Sequence, residues 1–125
     1  MLLELDWPPT VNTYYRTVMI GNTCRVLLSA KARAYRESVK ARAYREAAAS
    51  PVFRTERLRV TLMLHAPTRH KYDIDNRAKA VLDSLEHAGV YANDEQIDRL
   101  DIQRGEVRPR DGAVFVLIKV IEAGE

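Results

Sequence analysis

Asp73-Ile74-Asp75-Asn76-Arg77-Ala78-Lys79, followed by Asn93-Asp94, places three acids and a lysine in two short segments. Asp75 and Lys79 stand one helical turn apart, at a spacing that shares a helix face. Carboxylates this close raise one another's pKa unless positive charge lies among them. A divalent cation and a lysine amine both meet that need. The pattern therefore points to Mg²⁺-assisted phosphodiester chemistry. The plainer reading is a helix start at which Asp73 or Asp75 caps free N–H groups and Asp75 pairs with Lys79 on the surface.

Several elements must position these residues. Leu2 to Asp6 alternates as a strand, and Trp7-Pro8-Pro9-Thr10 stops it. Val11 to Arg16 reads as an aromatic loop. Thr17 to Ile20 and Thr23 to Leu28 form a hairpin around Gly21-Asn22. Ser29 caps a long helix over about residues 30–49, ended by Ser50-Pro51. Within that helix Lys31-Ala-Arg-Ala-Tyr-Arg-Glu37 recurs as Lys40-Ala-Arg-Ala-Tyr-Arg-Glu46, an offset of nine residues. That offset turns the second copy half-way round the helix; Tyr35 with Val39 and Ala43 forms the better apolar stripe and faces the core, which leaves Tyr44 exposed or against a partner.

Leu58 to His65 alternates strictly and is a strand with one apolar face. A basic loop leads to a second helix over about 74–88, stopped by Gly89. Its apolar stripe holds Ile74, Ala78, Val81, Leu82, Leu85 and Ala88. Asp94 lies in the polar loop beyond. Residues 97–107 and 113–121 read as two strands, the last apolar enough to be central and covered on both faces. The expected fold is α/β (α+β): one compact domain over residues 1–125, with a mixed sheet and two main helices.

Composition narrows the classes. No apolar run approaches the roughly 20 residues that span a bilayer. The start has neither the basic nor the apolar region of a signal peptide. Cys24 is the single cysteine, which excludes an internal disulfide and suits a reducing cytoplasm; its apolar run suggests a buried thiol. His65, His70 and His87 form no zinc pattern. The net charge of +3 and pI near 9.2 are compatible with a nucleic-acid partner. Cationic patches lie at Arg69-His70-Lys71, along the first long helix, and at Arg104, Arg108 and Arg110.

Four motifs occur together and in order. Trp7-Pro8-Pro9-Thr10-Val11-Asn12-x-Tyr14-Tyr15-Arg16 opens the chain, and Ser29 with Ala34-Tyr35-Arg36 marks the first long helix. Asp73-x-Asp75-Asn76-x-x-Lys79 is central, and Ala88 to Ile97 closes the series. Jointly they resemble the RusA-type Holliday junction resolvases over nearly the whole chain.

The resemblance implies a homodimeric, Mg²⁺-dependent endodeoxyribonuclease, with Mn²⁺ as a substitute. It would bind four-way DNA junctions and cut two strands of like polarity in recombination and repair. By position it implies catalytic Asp73, Asp75, Lys79 and Asp94, the three acids holding metal. Charge places Arg69, His70 and Lys71 against DNA, and the motifs add Asn76, Asn12, Tyr15 and Arg16 as expected contacts. This chain departs from the family in carrying Asn93-Asp94 where two adjacent acids are common. The alternative is a non-catalytic branched-DNA-binding protein on the same scaffold, against which the intact acids and Lys79 argue.

Overall fold

The computed structural model describes residues 1–46 and 52–123. Strand β1 spans Leu2–Leu5, with Leu3 and Leu5 turned inward. Trp7-Pro8-Pro9 leads into a single helical turn, α1 (Val11–Tyr14). The expected aromatic loop is thus partly helical. Thr10 explains it, since its hydroxyl accepts the N–H of Thr13 at 3.2 Å and caps the turn. Strands β2 (Tyr15–Ile20) and β3 (Thr23–Leu28) form a separate hairpin. Helix α2 runs Ala30–Glu46, its first turn capped by the Ser29 hydroxyl on the N–H of Ala32. The expected continuation to residue 49 lies outside the described residues.

Ala32, Tyr35, Val39 and Ala43 fall on one side of α2 and are buried, whereas Tyr44 is 81% exposed. The nine-residue repeat therefore has one tyrosine in the core and one in solvent, as half a turn of helix requires. Strand β4 (Leu58–His65) buries Leu58, Val60, Leu62 and Leu64 completely. Each such leucine contributes about 1.5–3 kcal/mol of burial. Helix α3 spans Asp75–His87, a 3₁₀ turn covers Asp94–Gln96, and β5 (Ile97–Arg104) and β6 (Ala113–Val120) follow.

The main sheet has the order β1-β6-β4-β5. In this sheet β4 and β5 pair in parallel, and β1–β6 and β4–β6 are antiparallel. A parallel pair needs a crossover, and α3 supplies it. Gly89 ends α3 with φ 81°, and the N–H of Val90 reaches back to the carbonyl of Leu85. At the β5–β6 turn Gly112 also has positive φ, and a side chain there would meet Pro67 and the His65 carbonyl at about 3 Å.

Two expectations are corrected. Strand β6 is central but not covered on both faces: Val114, Val116 and Ile118 are buried while Phe115 and Leu117 are only partly so. Cys24 is exposed rather than buried, because the β2–β3 hairpin pairs with neither neighbour in the main sheet. The same hairpin exposes Met19 (65%), Ile20 (54%), Val26 (64%) and Leu27 (42%). Tyr15 and Leu28 at its base pack against the core.

Candidate active site

The acid pair opens α3. Ile74 occupies the N-cap position in helical conformation, with no side-chain cap bond. Asp73 contributes its main-chain carbonyl to the N–H of Asn76 at 3.2 Å. Neither carboxylate is spent on capping. Both are exposed, as is Lys79. No ion pair joins Asp75 to Lys79 among the described residues. The plainer reading of the motif, a cap plus a surface pair, does not describe this geometry.

Asp94 lies elsewhere along the same helix. Its N–H donates to Glu86 Oε1 at 2.6 Å. That bond docks it on the C-terminal half of α3. Asn93 shapes the turn, its side chain accepting from Glu95 while its own N–H donates to Gln96 Oε1. Arg57 holds the next residue, donating to the Glu95 carbonyl at 2.7 Å. Asn93 therefore acts here as the capping residue of this turn.

Tyr91 is buried beneath this group and donates to the Leu82 carbonyl at 2.5 Å. Burial, then the charges of Asp94, Glu86 and Asp83, push its phenol well above the ordinary tyrosine range. Asp75 and Glu86 are separated by about 16 Å of helix axis at 1.5 Å per residue. Among the described residues no three acids or imidazoles gather within reach of one ion. Asp94 does not join Asp73 and Asp75 within one chain.

The middle of α3 is tied to the N-terminal motif. Tyr14 donates to Asp83, Arg36 Nε donates to the Tyr14 hydroxyl at 2.9 Å, and Arg36 Nη2 meets Asp83 at 2.5 Å. Burial favours a neutral Asp83. The bonds from Tyr14 and Arg36, with the charges of Arg36 and Lys79, outweigh it and hold the carboxyl below its usual range. Tyr14 is shifted upward, chiefly by burial and then by its bond to Asp83. Arg77 Nη1 donates to the Pro8 carbonyl at 2.6 Å. Residues 7–16 therefore run beside α3 from its first turn to Asp83.

The candidate DNA contacts divide accordingly. Arg69, His70 and Lys71 are exposed just before the acid pair, and Asn76 is half-buried in the first turn of α3. Asn12 and Arg16 are exposed on the segment beside α3, where Tyr15 sits edge-on to Tyr14 at 5.0 Å. Other cations in the expected patches have internal work. Arg36 holds Asp83, Arg42 holds Asp6, and Arg108 holds Glu4. Arg104 lies over the Tyr72 ring at 4.2 Å. The Tyr14–Arg36–Asp83 network and the contacts of Tyr72 are not evident from sequence. Asp83 looks like any polar helix position, and Tyr72 like an interruption of a basic run.

Exposed carboxylate oxygens beside a cationic surface are compatible with metal-assisted phosphodiester chemistry. Asp73 and Asp75 are hard donors and suit Mg²⁺, which binds through one or two carboxylates and keeps other positions for water and phosphate. The model for endodeoxyribonuclease RusA matches residues 6–119. A crossover junction endodeoxyribonuclease of Enterobacteria phage HK97 is 33% identical, over 95% of this chain and 93% of its own. Proteins of the same name from Shigella sonnei and Escherichia coli are 34% and 35% identical, over 76% of this chain and 74% of theirs. The chain belongs to the RusA endodeoxyribonuclease family.

Proposed function

We propose that this chain is a metal-dependent resolvase of Holliday junctions. It cuts phosphodiesters in paired strands of four-way DNA during recombination and repair. The observation that carries the reading is the exposed acid pair Asp73 and Asp75, spent on no cap and no ion pair among the described residues, with Lys79 one turn beyond Asp75, in a chain of this family. A purely binding protein on the same scaffold has no use for that arrangement.

Asp73 and Asp75 hold Mg²⁺, with Mn²⁺ as a substitute. When bound, the cation polarises the phosphoryl oxygen and supplies an activated water. Lys79 places a compact positive charge beside the phosphoryl group as negative charge builds on it. Arg69, His70 and Lys71 draw the DNA backbone toward the pair. Asn76, Asn12, Tyr15 and Arg16 contact the strand along α3.

The protein acts as a homodimer, since a twofold pair offers one site to each of two equivalent strands. The exposed apolar hairpin supports association. The span of α3 between Asp94 and the acid pair supports a site in which Asp94 comes from the second copy. Residues 1–125 form one domain working in the cytoplasm.

The test is a synthetic mobile four-way junction, incubated with and without Mg²⁺ and mapped at nucleotide resolution. Paired symmetric cuts that require the metal are expected. Asp75→Asn should bind the junction and leave it intact. Cleavage by that variant within about tenfold of the parent, about 1.4 kcal/mol in barrier, removes Asp75 from the site. Junction binding without any cleavage by the parent favours the binding-protein alternative.

A further inference from the structure

The carboxylates of Asp73 and Asp75 have no cap bond and no ion pair among the described residues, so their placement depends on the backbone that carries them. That backbone emerges from an irregular segment, residues 66–74, and enters α3. A four-layer stack brackets it. Arg104, the last residue of β5, covers the Tyr72 ring at 4.2 Å and donates through Nη2 to the Tyr72 carbonyl at 3.0 Å. Tyr72 meets Trp7 edge-to-face, with centroids 5.4 Å apart and planes at 89°. Arg77 lies over the Trp7 ring at 5.1 Å and donates to the Pro8 carbonyl at 2.6 Å.

We propose that the Arg104–Tyr72–Trp7–Arg77 stack is the positioning device of the acid pair, fixing the chain on both sides of Asp73-Ile74-Asp75. The inference rests on the reading of those acids as the nuclease's own. Tyr72 directly precedes Asp73, and Arg77 follows Asp75 by two residues. The layers come from a strand end, a loop, the β1–α1 connection and a helix start, so the stack joins four parts of the chain at the acids. Guanidinium groups over ring faces and an edge-to-face ring pair are favourable and directional. They limit rotation as well as separation at the segment that carries the carboxylate pair.

The tyrosine hydroxyl is not part of the device. Tyr72 Oη is buried and has no hydrogen-bond partner among the described residues. The ring and the main-chain carbonyl carry the contacts. This separates ring from hydroxyl experimentally, because Tyr72→Phe keeps every layer of the stack. Burial lowers the Arg77 guanidinium from its ordinary range, but arginine remains charged, and its cover of Trp7 does not depend on pH.

The test compares the parent with Tyr72→Phe, Tyr72→Leu, Trp7→Leu and, as a control on the acids, Asp75→Asn. Two readouts are taken: amide hydrogen exchange of residues 72–77 in metal-free protein, and the Mg²⁺ midpoint of single-turnover junction cleavage. Tyr72→Phe should match the parent in both. Tyr72→Leu and Trp7→Leu should speed exchange in that segment alone. Both should raise the Mg²⁺ midpoint by about tenfold or more, the usual effect of losing a support for metal ligands, with junction affinity retained in the absence of metal. If Tyr72→Leu does not fold, Trp7→Leu, one layer further from the acids, gives the reading; if both leucine variants fail to fold, a Tyr72→Phe protein with altered exchange or midpoint still overturns the proposal, and matching values sustain it.

Parental exchange and a parental midpoint in the leucine variants overturn the stack proposal. So does a loss confined to junction affinity, or a uniform rise in exchange throughout the chain with an unchanged midpoint. Undiminished cleavage by Asp75→Asn instead overturns the assignment of the acids. The two failures are thereby distinguished.

Discussion

Tyr14→Phe isolates the bond that ties the N-terminal motif to α3. The Tyr14 hydroxyl donates to Asp83 and accepts from Arg36 Nε at 2.9 Å, inside a residue with no exposed surface. Phenylalanine preserves the ring, its edge-on contact with Tyr15 and its fit to the core. Both lost partners are charged, which places the loss at about 1.5–3 kcal/mol. Arg36 and Asp83 keep each other at 2.5 Å, with side chains 21% and 18% exposed, so neither charge is orphaned and the expected loss is about 2 kcal/mol.

For a domain of this size that lowers the thermal midpoint by about 7 °C and the urea midpoint by about 1 M, at unchanged slope. Arg36→Met removes the cation itself. It should cost more, about 3 kcal/mol after allowing for partial exposure. Urea denaturation followed by circular dichroism measures both. A loss under about 0.5 kcal/mol for Tyr14→Phe, the range of an ordinary surface change, refutes a structural role for the network. A changed slope refutes the comparison of like states.

Lys79→Ala should leave stability within about 0.5 kcal/mol, because Lys79 is exposed and makes no ion pair among the described residues. It should lower single-turnover cleavage by about a hundredfold or more, and a fall under tenfold contradicts its role. Junction affinity should weaken with salt at about −0.9 per neutralised phosphate on a log–log plot. Replacing Arg69 and Lys71 with glutamine should flatten the slope, and an unchanged slope removes that loop from the contact. Asp83 has a folded-state pKa below its unfolded value of about 3.9. Its ionised form therefore adds stability above about pH 4 that is lost as pH falls through the lower folded value. The difference in urea midpoint between the parent and Asp83→Asn should shrink from pH 5 to pH 2, and a constant difference contradicts the shift.

The sequence by itself determined the elements with strong local signals. Strand β4 alternates from Leu58 to His65 with its bounds legible to the residue, because a half-buried strand repeats every two positions. Asp75 falls in the first turn of α3, and Gly89 takes the positive φ that ends it. Half a turn between repeats set Tyr35 and Tyr44 on opposite sides, and the stripe with Val39 and Ala43 put Tyr35 inside. The family motifs were legible too, because they are patterns of residue type and order.

Tertiary structure decided what those patterns cannot carry. Strand order, the parallel β4–β5 pair and the isolation of the hairpin depend on pairings between distant segments. That isolation reversed the burial expected of Cys24. Asp94 follows α3 in sequence, and the resemblance groups it with Asp73 and Asp75; the bond to Glu86 docks it instead at the C-terminal half of the helix. Trp7, Tyr72, Arg77 and Arg104 are scattered through the chain, and only packing makes them one stack. Local propensity acts within a few residues, whereas the contacts that set charge and orientation at this site join residues from separate elements.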